Sequence, residues 1–309
     1  MDIKYTIIIP HYNIPKLLER LLHSIPVRKD IQVIVVDDCS DEEVLSNLSS
    51  FQKLYSNVEF YSTAINAGGG RARNIGLMYA KGEYVIFADA DDYFTPQFSE
   101  ILNTYQDSSD YDVIYFNNIS VDSETLKPSN RNSQLASFFK LATRDPEKGW
   151  LAFRFIFGEP WCKIIRRRIV EENRISFEET PIHNDTRFSY LVGFYGKNIK
   201  LDERVGYCVT SRLNSVSKQI SDDNLVIRTR IFSEKRNFLK NNSIPLVDPM
   251  VFTPMSRAIK SRNFTLVKRI LRELKRTGYN KMAYLRDYYR FRIEGTIDEE
   301  KDCGVDKHL

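Results

Sequence analysis

The sequence predicts an α/β protein: a mainly parallel sheet between helices, followed by a helical C-terminal extension. Three observations carry this expectation. Short β-branched and aromatic runs alternate with helical periods along the first 120 residues. These runs are mostly apolar, as strands covered on both faces are. Beyond Asp222 the apolar spacing turns helical, most clearly at Phe264, Val267, Ile270, Leu271 and Leu274.

The elements follow in order. Tyr5 to Ile9 is a β-branched run closed by Pro10, which reads as a buried strand. Leu17, Leu18, Leu21, Leu22 and Ile25 repeat at helical spacing up to Pro26. Gln32 to Val36 is a second strand, and Ser40-Asp41-Glu42-Glu43 fits a capping box that opens a helix. Val58 to Tyr61 is a third strand, then a glycine-rich turn leads into a helix ending near Tyr79. Glu83 to Phe87 is a fourth strand; Thr95-Pro96 has the form of an N-cap with Pro at the first helical position. Asp112 to Phe116 is a fifth strand. Residues 119–150 are polar and turn-rich without a clear period, and residues 150–218 mix short pieces whose order the pattern does not fix.

At 309 residues, with 42% apolar and 28% charged residues, the chain has enough apolar surface for a real core, which excludes collagen-like and disordered classes. No apolar run approaches the roughly 18 residues of a membrane span, and the first residues carry no signal-peptide pattern. Cys39, Cys162, Cys208 and Cys303 are scattered, so neither a disulfide framework nor a zinc site is expected, and a reducing cytoplasm is. The net charge of +4 hides an asymmetry. Residues 1–120 hold 9 basic against 17 acidic side chains, and residues 121–309 hold 36 against 24. The excess peaks in 257–292, with 12 Lys and Arg against Glu273 and Asp287. An acidic half that takes an anionic ligand needs a cation, and a basic tail wants a negative neighbour.

In an open parallel sheet, ligands bind at the carboxyl ends of the strands. Strand one ends in Pro10-His11-Tyr12-Asn13, strand two in Asp37-Asp38-Cys39-Ser40, and strand four in Asp89-Ala90-Asp91-Asp92. One such Asp reads as a helix cap. Five at neighbouring strand ends read as a crevice that needs a cation. Asp89 and Asp91, two apart on extended chain, leave from one face, where they would hold Mn²⁺ or Mg²⁺ against a diphosphate. His11 and His23 are expected to be structural, because imidazole adds little to a hard oxygen site.

The segments TIIIPHYN, VIVVDDCSDE, NAGGGRARNIG and GEYVIFADADDYFTP together resemble the family 2 glycosyltransferases, inverting enzymes of the GT-A fold. A weaker likeness runs on through Trp161 to Arg167, Ile175-Ser176-Phe177 and His183-Asn184-Asp185. The resemblance implies a catalytic domain over 1–218, with a nucleotide-sugar half (1–118) and an acceptor half (119–218). A basic helical region then fills 219–309. It implies that Tyr12 stacks on the uracil of a UDP-sugar while Asp38 accepts its N3–H. Pro10, Asn13, Gly68, Arg73 and Ala90 would line the same site. Asp91 would be the main metal ligand, with Asp89 assisting and Asp92 facing the donor sugar. Asp185 would be the base; members usually carry Glu-Asp where this chain has Asn184-Asp185, which leaves the tuning of the base open. Glu178 and Glu179 are the alternative bases, and a helix cap is the alternative role for Asp185.

Arg212, in a stretch like one that closes over the diphosphate, would neutralise departing charge or lie on a surface loop. Trp161 reads either as a sugar platform or as a core tryptophan. The implied reaction moves a sugar from a UDP-sugar to a saccharide or lipid-linked oligosaccharide of capsule, O-antigen or exopolysaccharide type. The setting implied is cytoplasmic, at the inner face of the membrane, with residues 257–292 in peripheral contact or packed as a solvated helix. Two rival classes exist. A sugar nucleotidyltransferase would want its glycine-rich loop after strand one, whereas the glycines here follow strand three. A nucleic-acid binder using the basic stretch would leave the aspartate crevice without a purpose.

Overall fold

In the computed structural model, which describes residues 2–45, 51, 55, 57–107, 110–131, 133–211 and 221–294, the chain divides into two compact units. The first comprises Met1–Thr180 with Asn184–Leu213, and the second Pro181–His183 with Asn214–Leu309.

The first unit is organised by one eight-stranded sheet. The opening apolar run forms β1 (Tyr5–His11), in which Ile7, Ile8 and Ile9 are fully buried. It is followed by α1 (Pro15–Ser24), β2 (Ile31–Asp37), β3 (Val58–Ser62), α2 (Gly69–Tyr79), β4 (Tyr84–Phe87), β5 (Tyr93–Phe94) and α3 (Gln97–Thr104). Then come β6 (Val113–Asp122), α4 (Ser133–Arg144), α5 (Pro146–Leu151), β7 (Lys163–Arg166), α6 (Arg167–Glu172), α7 (Thr186–Tyr195) and β8 (Ile199–Ser211). The strand order is β3-β2-β1-β4-β7-β6-β8-β5.

β3, β2, β1 and β4 run parallel, and the chain moves outward from β1 to β3 before returning to β4 on the other side of β1. That reversal is a topological switch point, and the crevice beyond the carboxyl ends of β1 and β4 is where such a sheet takes ligands. The expectation of a mainly parallel sheet needs one correction. β7 is antiparallel to both β4 and β6, and β5 is antiparallel to β8, so the sheet is mixed. Only β6 and β8 restore a parallel pair in the second half. The antiparallel strands are short, and Ile164 and Ile165 of β7 are fully buried, so no alternating pattern marks them in the sequence.

Two local expectations also change. Ser40 donates to the Asp37 carboxylate and accepts the Asn13 amide, so it does not form the capping box; the helix opens at Glu42. The Thr95 hydroxyl donates to the Val205 carbonyl, and α3 starts after Pro96 without a side-chain cap. The polar stretch 119–150 contains the end of β6 and two helices, α4 and α5.

The second unit is helical: α8 (Asp222–Asn241), α9 (Thr253–Lys260), α10 (Phe264–Arg276) and α11 (Lys281–Glu294). Its core gathers Phe232, Val251, Phe252, Leu266, Ile270, Leu274 and Tyr279. Two buried ion pairs cross it, Lys235 to Asp248 at 2.5 Å and Arg236 to Asp287 at 2.6 Å. His183 belongs to this unit, where its Nε2 accepts from Arg228 at 2.8 Å. Burial and the Arg228 and Lys235 charges push its pKa down to about 4, so it is neutral near pH 7.

Candidate active site

The ends of β1 and β2 are tied together by side chains the sequence placed there. His11 is buried; its Nδ1 bonds Asp37 at 2.8 Å while Nε2 accepts the Ile14 amide, which defines an Nδ1–H imidazole. Burial raises the Asp37 pKa, but hydrogen bonds from His11 and Ser40 outweigh it and hold the carboxyl below its usual range. Asn13, in the left-handed region at φ 54°, cross-links to Asp41 through both its amide nitrogen and its carbonyl oxygen. Tyr12, between these anchors, stands 47% exposed at the crevice. An aromatic face so presented suits a stacked base.

The expectation that all five aspartates open into one crevice is corrected. Asp37 is consumed by His11 and Ser40. Asp38 is buried and accepts from the Thr63 hydroxyl and the amides of Ala67 and Gly68, the last at 2.6 Å. Three bonds leave one acceptor direction on this carboxylate. The loop it holds turns at Gly68, whose φ of 87° favours glycine.

The glycines that follow pack the protein against itself. A Cβ on Gly70 would lie 2.1 Å from the carbonyl oxygen of Glu178 and 3.0 Å from the Asn184 side chain, so the start of α2 touches the Glu178 backbone directly. Gly70→Ala must push these apart; a cost of about 1–3 kcal/mol is expected, read as a lower melting temperature.

Arg73 on α2 exploits that contact. Its guanidinium, only 7% exposed, donates to Asp89 at 2.6 Å and to Asn184 at 3.1 Å, and its plane lies over Phe177. It therefore joins the strand-four motif to the residue beside Asp185. The carboxylate oxygens of Asp89, Asp91 and Asp92 lie within 4.8 Å of one another, the chemistry of a hard divalent site. Ala90 between them is buried, as is Asp92, whose carboxylate accepts the Thr210 amide at 2.7 Å. Burial and repulsion from Asp91 and Asp89 drive the Asp92 pKa well up. Asp92 thus anchors β8 and is closed off from a sugar, contrary to expectation.

Sequence reasoning missed the supports of this turn. The Tyr207 hydroxyl accepts the Asp89 amide at 2.9 Å, and Arg20 and Thr210 both donate to the Asp91 carbonyl. β8 carries Tyr207 and Thr210 but has no readable period, so nothing flagged them. Asn184, treated only as a lost acid, is the acceptor for Arg73.

Asp185 stands at the start of α7 and makes no side-chain cap. Burial pushes its carboxyl up to about 6, against the pull of Arg73 and with repulsion from Glu159 and Asp89. Glu179 is exposed and Glu178 half-buried. Trp161 is buried and stacks on Tyr207 with ring centroids 5.9 Å apart, which makes it core and removes it as a sugar platform. Arg212 lies outside the described residues.

The sequence model of the family described as Glycosyl transferase family 2 matches residues 6–174, and the chain belongs to this family. It is 29% identical over 216 residues to the poly(ribitol-phosphate) beta-N-acetylglucosaminyltransferase TarS of Staphylococcus aureus, covering 68% of this chain and 36% of TarS. It is 30% identical over 185 residues to a poly(ribitol-phosphate) beta-glucosyltransferase of Bacillus spizizenii, covering 58% of this chain and 27% of that one. The chain thus spans about a third of the length of these relatives. The solved structure of a TarS fragment with UDP-GlcNAc superposes with a TM-score of 0.64 at 21% identity, over 96% of this chain and 88% of the fragment. A mannosyltransferase of Pyrobaculum calidifontis, solved with GDP-Man and Mn²⁺, gives 0.56 at 16% identity, over 95% and 83%. The fold is GT-A.

Proposed function

We propose that this chain is an inverting glycosyltransferase that moves a sugar from a UDP-sugar to a saccharide or lipid-linked acceptor in surface-polysaccharide synthesis. It works in the cytoplasm at the inner face of the membrane. The observation that carries this reading is the Arg73 bridge, which sets an acidic oxygen cluster on one side and Asp185 on the other within a single unit. The TarS structure with UDP-GlcNAc supports UDP as the carrier.

Tyr12 offers its ring to the base, and the remaining acceptor direction of Asp38 suits an imide N–H. Asp91 and Asp89 would hold Mn²⁺ or Mg²⁺, which supplies charge to offset the diphosphate. Asp185 accepts the proton of the acceptor hydroxyl as that oxygen bonds the anomeric carbon. The bond from that carbon to the diphosphate oxygen breaks with its electron pair, and the sugar inverts. Proton NMR of early product from an α-linked donor should show the β anomer; the α anomer would overturn an inverting reaction.

The pH dependence follows from the raised carboxyl. The base form of Asp185 must be ionised, so kcat/KM should climb between pH 5 and 7 with a midpoint near 6. The rate at pH 7 should be roughly tenfold that at pH 5, from the ionised fractions alone. A profile flat across this window would remove Asp185 from the role.

A further inference from the structure

The second unit carries an apolar surface that its own core does not use. α10 buries Leu266, Ile270 and Leu274, and α11 buries Tyr284 and Asp287. On the opposite side of α10, Phe264 is 75% exposed and Leu271 40%, one heptad apart. Lys268 and Lys275 interleave with them at positions four residues on, so all four share a narrow arc of the helix. α11 repeats the arrangement: Met282 is 76% exposed, Leu285 49% and Tyr289 66%, with Arg286 beside them.

The charge on these faces has one sign. From Phe264 to Arg292 there are nine Lys and Arg against two acids, Glu273 and Asp287. Glu273 is taken by Arg276 and Asp287 by Arg236. Lys268, Arg272 and Lys275 make no ion pair among the described residues.

Exposed large apolar side chains set among uncompensated cations fit an interface that is apolar in depth and anionic at its surface. We infer that the outer faces of α10 and α11 dock on an anionic lipid bilayer, with Phe264, Leu271, Met282 and Tyr289 inserted at headgroup level and the lysines on lipid phosphates. This surface does not involve the nucleotide site, so the two readings fail separately.

The test is flotation of the full chain with vesicles of phosphatidylcholine alone or with about a third phosphatidylglycerol. Binding is expected only to the anionic vesicles and should weaken with salt. Lys268→Glu with Lys275→Glu, and separately Phe264→Ser with Met282→Ser, should each lower the partition coefficient roughly tenfold or more. UDP affinity and melting temperature should not change, because these side chains lie outside both cores. Equal binding to neutral vesicles, or variants that bind like wild type, would overturn the inference. So would a chain that ignores vesicles but self-associates through these residues in sedimentation velocity, which would give the face to a second copy.

Discussion

Asp185→Asn should lower sugar transfer by roughly 10²–10⁴-fold, the usual contribution of a general base, with UDP affinity nearly unchanged. The amide keeps the shape of the carboxyl and cannot take the proton. In the proposed reading Tyr12, Asp38 and the Asp89–Asp91 turn would bind the nucleotide without it. Turnover, read beside the melting temperature, separates this role from a helix cap. Asn caps as well as Asp, so a cap predicts normal turnover and unchanged stability. Here the carboxyl makes no cap, and its pKa is raised to about 6 on folding. The sign follows: the folded state binds this proton more tightly than the unfolded chain, so stability falls as pH rises from the ordinary carboxyl range through 6. At pH 8 the Asn variant should therefore melt no lower than wild type, and higher if burial of the charge is the main cost. Near-wild-type turnover would shift suspicion to Glu178 or Glu179.

Asp91→Ala should cost UDP binding at least a few kcal/mol in calorimetry with Mn²⁺, and EDTA should have the same effect on wild type. Without a cation the diphosphate would face the carboxylates of Asp89 and Asp91 with Arg73 beside Asp89 as the charge that offsets them. The turn is also held through backbone. Arg20 and Thr210 grip the Asp91 carbonyl, and Tyr207 takes the Asp89 amide, all independent of the Asp91 side chain. Equal affinity with and without metal would sink the metal-diphosphate reading.

Much of residues 1–118 was legible, because the signals there are local. A mostly apolar, β-branched run ended by Pro10 buries on both faces of a sheet, and a carboxylate pair after Phe87 has to emerge at a strand end. The remainder was not, because it depends on pairing across long separations. The ten-residue β6 pairs with both β7 and β8, and β8 brings Tyr207 and Thr210 under the Asp89–Asp92 turn from over a hundred residues away. Nothing near Asp38 announces that the Ala67 and Gly68 amides will take up two of its acceptor directions. Arg73 was readable as a site residue, yet its partners Asp89 and Asn184 lie 16 and 111 positions distant. The helical pattern after Asp222 picked out Ile270 and Leu274, which are buried; that Leu266 is buried while Phe264 and Leu271 stay outside needed the packed unit.

The most direct measurement is nucleotide release from a panel of UDP-, GDP- and CMP-sugars, each assayed with Mn²⁺, with Mg²⁺ and with EDTA. Expected is metal-dependent release of UDP from one UDP-sugar, abolished by Asp91→Ala and slowed by Asp185→Asn. Turnover of a GDP- or CMP-sugar with every UDP-sugar inert, or release that EDTA leaves unchanged, would contradict a metal-assisted UDP-sugar transferase.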